Sequence, residues 1–160
     1  MISSSRQIVY KEEQINNLSE RLNLTKTCVV NILNCYIGYI LDRLSIGETV
    51  KFLNICYLKV GGKGVSDTRE TLAYVANEIG YVVDVTPEVV LRVLISFEEY
   101  LLNDLHHGKD YCIKRIVRLK VDTLPDGRKK LRVCKSTIFN GMDITACALG
   151  SFRRKVENAR

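Results

Sequence analysis

The sequence predicts an α+β fold made of two copies of one helix–helix–strand unit, with a single β-hairpin projecting from the second copy. Three observations predict it. Matching residues recur at a spacing of 61, each copy passes from helical to strand periodicity, and a Leu-Pro-Asp-Gly turn lies between two cation-rich, strand-like segments.

Leu44, Gly47, Ile55, Leu58, Lys59 and Val60 meet Leu105, Gly108, Ile116, Leu119, Lys120 and Val121. Upstream at the same spacing, Thr25 meets Thr86, Val29 meets Val90, Leu33 meets Leu94, Tyr36 meets Phe97 and Leu41 meets Leu102. Earlier still the spacing becomes 57: Ile15 falls on Leu72, Leu18 on Val75 and Leu22 on Ile79. The second copy is therefore expected to hold four extra residues around Tyr81 to Asp84. The copies span 1–64 and 65–160, joined by Gly61-Gly62-Lys63-Gly64, a flexible connector.

In the first copy Ile15, Leu18 and Leu22 make an apolar stripe at helical spacing. Thr25 then stands at an N-cap position, where its hydroxyl accepts a backbone N–H that the first turn leaves without a partner. Cys28 to Leu44 continues as a long amphipathic helix, and Gly47 stops it. Val50, Phe52 and Ile55 begin a strand. In the second copy Asp67 or Thr68 caps a helix running through Ile79. Thr86-Pro87-Glu88 opens the next helix, with Pro at the first position, where the missing N–H is no loss. That helix runs to about His107.

Beyond Gly108, Ile113, Arg115, Val117, Leu119 and Val121 alternate with Lys114, Ile116, Arg118 and Lys120 along one strand. Leu124-Pro125-Asp126-Gly127 turns the chain, with Pro presetting φ and Gly supplying a positive one. Arg128 to Lys135 returns as the second strand, and Asp143 to Val156 reads as a short closing helix ending near Arg153, Arg154 and Lys155.

The formal charge of +6 is unevenly spread. From Gly108 onward there are fourteen Lys and Arg against five Asp and Glu; the first 107 residues hold ten against thirteen. A local positive surface suits a polyanion or an acidic protein partner. The six cysteines are dispersed in apolar patterns without a C-x-x-C pair, and are expected to be reduced, buried and unliganded. His106 and His107 are expected at a helix C-terminus, near the negative end of its dipole, rather than on a metal. No apolar run reaches the length of a membrane span, and Met1 to Tyr10 is too polar for a secretory signal. No nucleophile–base arrangement stands out, and the glycines at 61–64 lack the Ser or Thr that follows in a phosphate-cradling loop. The expectation is a non-enzyme with no cofactor, metal or small-molecule substrate.

The order of elements, with Leu22-Asn23-Leu24-Thr25-Lys26 as the inter-helix turn, the segment Gly47 to Val60, and Pro125-Asp126-Gly127-Arg128-Lys129 at the hairpin tip, resembles the HU/IHF family. The resemblance covers most of Tyr10 to Asn158. It implies an intertwined dimer whose arms clasp double-stranded DNA along the minor groove, here built as a pseudo-dimer within one chain. The sequence departs from the family in having Asn54 and Cys56 where glycines are usual, a shorter arm with Thr123-Leu124-Pro125 at its tip, and no arm on the first copy.

Two functions follow as expectations. One is a structural subunit of a large assembly, as viral versions of this fold are in tails or rings, with other subunits as partners. The other is an architectural DNA-binding protein of the bacterial cytoplasm or nucleoid. In both, the contact residues are Lys114, Arg115, Arg118, Lys120, Leu124, Pro125, Arg128, Lys129, Lys130, Arg132, Lys135, Arg153, Arg154 and Lys155. Pro125 or Leu124 would wedge between base steps in the DNA case.

Overall fold

The computed structural model describes residues 12–60, 71–107, 111–113, 117–127, 129–135, 138–139 and 142–148. Helices α1 (Glu12–Leu22) and α2 (Lys26–Ser45) lead into strands β1 (Val50–Phe52) and β2 (Cys56–Val60). Helices α3 (Leu72–Val83) and α4 (Pro87–His106) lead into β3 (Tyr111–Ile113), β4 (Val117–Thr123), β5 (Lys129–Lys135), β6 (Ile138–Phe139) and β7 (Met142–Ala148). The fold is α+β, with antiparallel sheets ordered β1-β2-β7-β6 and β3-β4-β5.

Among the described residues the repeat holds at a spacing of 61 from the first helix of each copy through β2 and β4. Helix α2 maps onto α4 residue for residue, Thr25 and Thr86 cap them, and each hydroxyl accepts from the backbone N–H three residues on. Seven residues are buried along α2: Val29, Ile32, Leu33, Tyr36, Ile37, Ile40 and Leu44. Their counterparts in α4, Val90, Val93, Leu94, Phe97, Glu98, Leu101 and Leu105, are all buried too. Strand β1 maps onto β3, and the pairing Val50↔Leu58 recurs as Tyr111↔Leu119.

The spacing of 57 for the first helices, and the four added residues it implied, are corrected. Gln14, Ile15 and Leu18 are the buried residues of α1, and Val75, Ala76 and Ile79 those of α3. Asn23 and Asp84 share the left-handed conformation, with φ of 57° and 61°. The following N–H groups, of Leu24 and Val85, donate to the carbonyls of Ser19 and Gly80. Four residues are close to one helical turn, so an apolar stripe slid by four still matches itself. Burial decides the register where residue type could not. The cap of α3 is likewise Thr71, which accepts from the Tyr74 N–H, rather than Asp67 or Thr68.

Three strand readings also change. Ile55 does not extend a strand from Val50: Leu53 to Ile55 form a turn, and β1 folds back on β2 with Phe52 opposite Cys56. In the second copy Ile113 lies opposite Val117, so the chain reverses between them where one continuous strand was expected. The closing helix from Asp143 is instead β7, at least through Ala148; residues 149–156 lie outside the described residues. Met142-Asp143-Ile144-Thr145-Ala146-Cys147-Ala148 alternates with a period of two, and β7 pairs along the whole of β2, from Cys56↔Ala148 to Val60↔Ile144. β7 thus stands on β2 where β5 stands on β4, and completes the sheet of the first copy from the far end of the chain.

The helices pack reciprocally. α1 lies on α4 and α3 on α2, while α2 carries β1 and β2 as α4 carries β3 and β4. One continuous core results, holding Ile15, Leu33, Tyr36, Phe52, Leu94 and Phe97 together as expected; the Ile113 side chain lies outside the described residues. The exposed Arg21–Glu99 ion pair at 2.7 Å also joins the copies, though such a pair contributes at most about 1 kcal/mol.

The turn between β1 and β2 is pinned from both copies. The buried Tyr36 hydroxyl accepts from the Leu53 N–H at 2.7 Å and donates to the Lys51 carbonyl at 3.4 Å. Glu98, 6% exposed, accepts from the Asn54 N–H at 2.9 Å. Leu53 is held at a φ of 50°, a conformation disfavoured outside glycine. Burial pushes the Tyr36 phenol well above its ordinary pKa, so it stays a neutral donor and acceptor. Tyr36→Phe is expected to cost about 1–3 kcal/mol, because the buried Leu53 N–H loses its acceptor while the ring remains. Chemical denaturation of the variant beside wild type measures this directly.

Candidate functional site: the basic hairpin

The β4–β5 ladder sets seven residue pairs in register. Arg118 lies opposite Cys134, Lys120 opposite Arg132 and Asp122 opposite Lys130, and these positions share one face. The other face takes Val117, Leu119, Val121, Leu131 and Val133, with Lys135 and Lys129 at its two ends. Leu119 occupies the position that the buried Leu58 holds in the first copy. The sheet is therefore amphipathic by register: apolar on the side equivalent to the core, cationic on the other.

The expected contact residues do not form one surface. Arg118, Lys120, Lys130 and Arg132 come together on the cationic face, while Lys129 and Lys135 alternate onto the apolar one. Leu124 and Pro125 sit in the turn, Pro125 exposed and Leu124 half-buried. The Gly127 N–H donates to the Leu124 carbonyl at 2.8 Å, and Gly127 has a φ of 90°, which its lack of a Cβ permits. Lys114, Arg115, Arg128, Arg153, Arg154 and Lys155 lie outside the described residues.

The register sets Lys120 directly opposite Arg132; like charges at directly opposed positions of an antiparallel pair are disfavoured by a few tenths of a kcal/mol up to about 1 kcal/mol. Asp122 opposite Lys130 relieves part of this field. An anionic partner would relieve the rest.

The reach of the hairpin is modest. β4 and β5 pair over seven residues, from Val117↔Lys135 to Thr123↔Lys129, and the turn follows at once. At about 3.4 Å per residue the whole ladder is roughly 24 Å long, and its first three positions on β4 also pair with β3. Among the described residues it is the one hairpin of this kind.

No protein-family model, curated protein or solved structure matches the chain. The chemistry of the site stands on its own residues.

Among the described residues no three His, Cys, Asp or Glu side chains are grouped to hold a metal. None of Cys28, Cys35 and Cys56 is in a disulfide; Cys56 is buried as expected, Cys28 and Cys35 only half-buried, and the other three cysteines lie outside the residues whose side chains are described. His106 ends α4 and His107 caps it, its Nδ1 2.7 Å from the Asn103 carbonyl oxygen, as the helix-terminal reading expects. No single described helix is long and apolar enough to cross a membrane.

A second surface escaped the sequence reading. Tyr74, Tyr81 and Val82 on α3 are exposed, Tyr81 to 91%. They fit an amphipathic helical pattern, and only the spacing of 61 reveals their counterparts as Glu13, Glu20 and Arg21. A spacing of 57 sets them against Asn17, Leu24 and Thr25 instead.

Proposed function

We propose that the chain is a non-enzymatic, HU/IHF-like pseudo-dimer that serves as a structural subunit of a large assembly of the virion type, such as a phage tail or ring. The observation that carries this reading is the short reach of the basic hairpin. A ladder of seven pairs, three of its β4 positions already beside β3, leaves a short arm for following the minor groove around a duplex, yet it suffices to seat a turn and a cationic face in a neighbouring protein. The exposed aromatic face of α3 adds a second contact surface that DNA binding leaves without a use.

A second reading, sequence-independent binding of double-stranded DNA, is favoured by the four cations that share one face of β4–β5. Duplex binding measured by fluorescence anisotropy over a salt series, together with light scattering of the purified chain, separates the two. The assembly reading expects particles larger than one chain, alone or with partner subunits, and weak DNA binding. A monomer that binds and bends duplex DNA tightly, with a steep salt slope, overturns it.

Replacing Arg128, Lys129 and Lys130 together with Ala is expected to block incorporation into the assembly while leaving the fold intact, since an exposed tip contributes little to the core. Under the DNA reading the same change weakens binding almost uniformly across sequences. It then flattens the salt slope by up to about one unit per lost phosphate contact. Wild-type behaviour in both assays leaves the hairpin as a solvated face.

A further inference from the structure

The internal repeat is its own control for reading the surface. Positions 13, 20 and 21 of α1 and positions 74, 81 and 82 of α3 are equivalent in fold, so the needs of the core are the same at both. The first set is Glu13, Glu20 and Arg21; the second is Tyr74, Tyr81 and Val82, exposed to 43%, 91% and 70%. Tyr74, Glu78 and Tyr81 follow one another at four- and three-residue steps, and Val82 lies four residues beyond Glu78, so the four make one stripe along α3. Its charge is of one sign: α3 contains neither Lys nor Arg, and Glu78 in the stripe and Asp84 just beyond it are both exposed.

We propose that this face of α3 receives the basic hairpin of a second copy of the same chain, an inference that rests on the assembly reading and names the partner within it. The two surfaces are complementary in kind. Arg118, Lys120, Lys130 and Arg132 share the cationic face of β4–β5, and α3 offers two tyrosine rings with flanking carboxylates. A guanidinium or ammonium group is attracted to the face of a tyrosine ring, and the carboxylates of Glu78 and Asp84 add ion pairs of the matching sign. The split of charge along the chain, basic from Gly108 onward and acidic before it, has the same sense.

Because two different surfaces meet, the contact is heterologous. Each copy uses its hairpin on one neighbour and offers α3 to another, so association continues into a ring or a filament instead of closing as a two-fold dimer.

Sedimentation velocity on the full chain at about 0.05 M and about 0.5 M salt tests this, since surface ion pairs weaken as the Debye length shrinks. Wild type is expected to form species larger than a dimer that dissociate at the higher salt. Tyr74→Ala with Tyr81→Ala, and separately Lys130→Ala with Arg132→Ala, are each expected to weaken self-association on the order of tenfold or more, because truncated aromatic and Arg anchors dominate such contacts. Mixing the two variants one to one restores a single intact contact per pair and yields complexes that stop at two chains. Circular dichroism confirms that both variants fold.

A hairpin variant that associates like wild type, or mixtures that grow beyond two chains, overturns the inference. So does a wild-type chain that is monomeric at both salts. If that monomer still enters an assembly with other proteins, the assembly reading survives; if it binds duplex DNA tightly instead, both fall.

Discussion

Ending the chain at Lys135 is expected to unfold the sheet of the first copy and to spare the β4–β5 hairpin. The cut removes β7, whose register covers β2 from Cys56 to Val60. Five paired residues in an antiparallel ladder exchange about five backbone hydrogen bonds, each contributing on the order of 1 kcal/mol net, so roughly 5 kcal/mol is lost. Domains of this size are stable by about 5–15 kcal/mol in all, so the shortened chain should be partly unfolded without denaturant. Thr145→Pro, in the middle of β7 and opposite Lys59, is expected to act in the same direction with a smaller loss, by deleting one donor from the ladder. Hydrogen exchange at the Tyr57 to Lys59 amides reads the effect locally. Unchanged protection there in the shortened chain would falsify the β2–β7 pairing.

Phe97→Ala is expected to cost about 3–5 kcal/mol, the usual range for removing a fully buried aromatic side chain. Phe97 is fully buried at the position equivalent to Tyr36, in the core that both copies share. The loss should therefore appear as one cooperative transition shifted to lower urea, with an unchanged slope, and not as two separate transitions. Two resolved transitions would mean that the copies fold independently.

Both results bear on what the sequence discloses. The α2 and α4 helices were legible because three signals coincide there: a Thr cap, a stripe of 3.6-residue period and a stop. Thr25 and Thr86 cap where expected, and the residues predicted for the core are in it wherever their side chains are described. The register of α1 against α3 was not legible, because a helical stripe is nearly invariant to a slide of one turn. Nor was β7, since Asp143 to Ala148 suits either helix or strand until the open edge of β2 supplies the pairing. The cations of the hairpin could be named, but their division between two faces rests on the register of Arg118 with Cys134 and of Thr123 with Lys129. Long-range pairing decides each of these, and local composition does not encode it.

The equivalence of β5 and β7 creates a hazard during synthesis. Val60 meets its partner Ile144 only 84 residues later, a wait of roughly 4–17 s at bacterial and eukaryotic elongation rates of about 5–20 residues per second. For that time β2 is an unpaired edge, and β5 emerges before β7 does. The two strands carry Leu131 and Ile144, and Cys134 and Cys147, at matching positions in their ladders, so β2 could capture the wrong one. The tight turn from Leu124 to Gly127 is expected to prevent it by speed. A hairpin closes in about 1–10 μs, so β5 is taken by β4 long before β7 leaves the ribosome. Pro125 and Gly127 are therefore expected to act as a kinetic sorting device that keeps two similar strands on their proper partners.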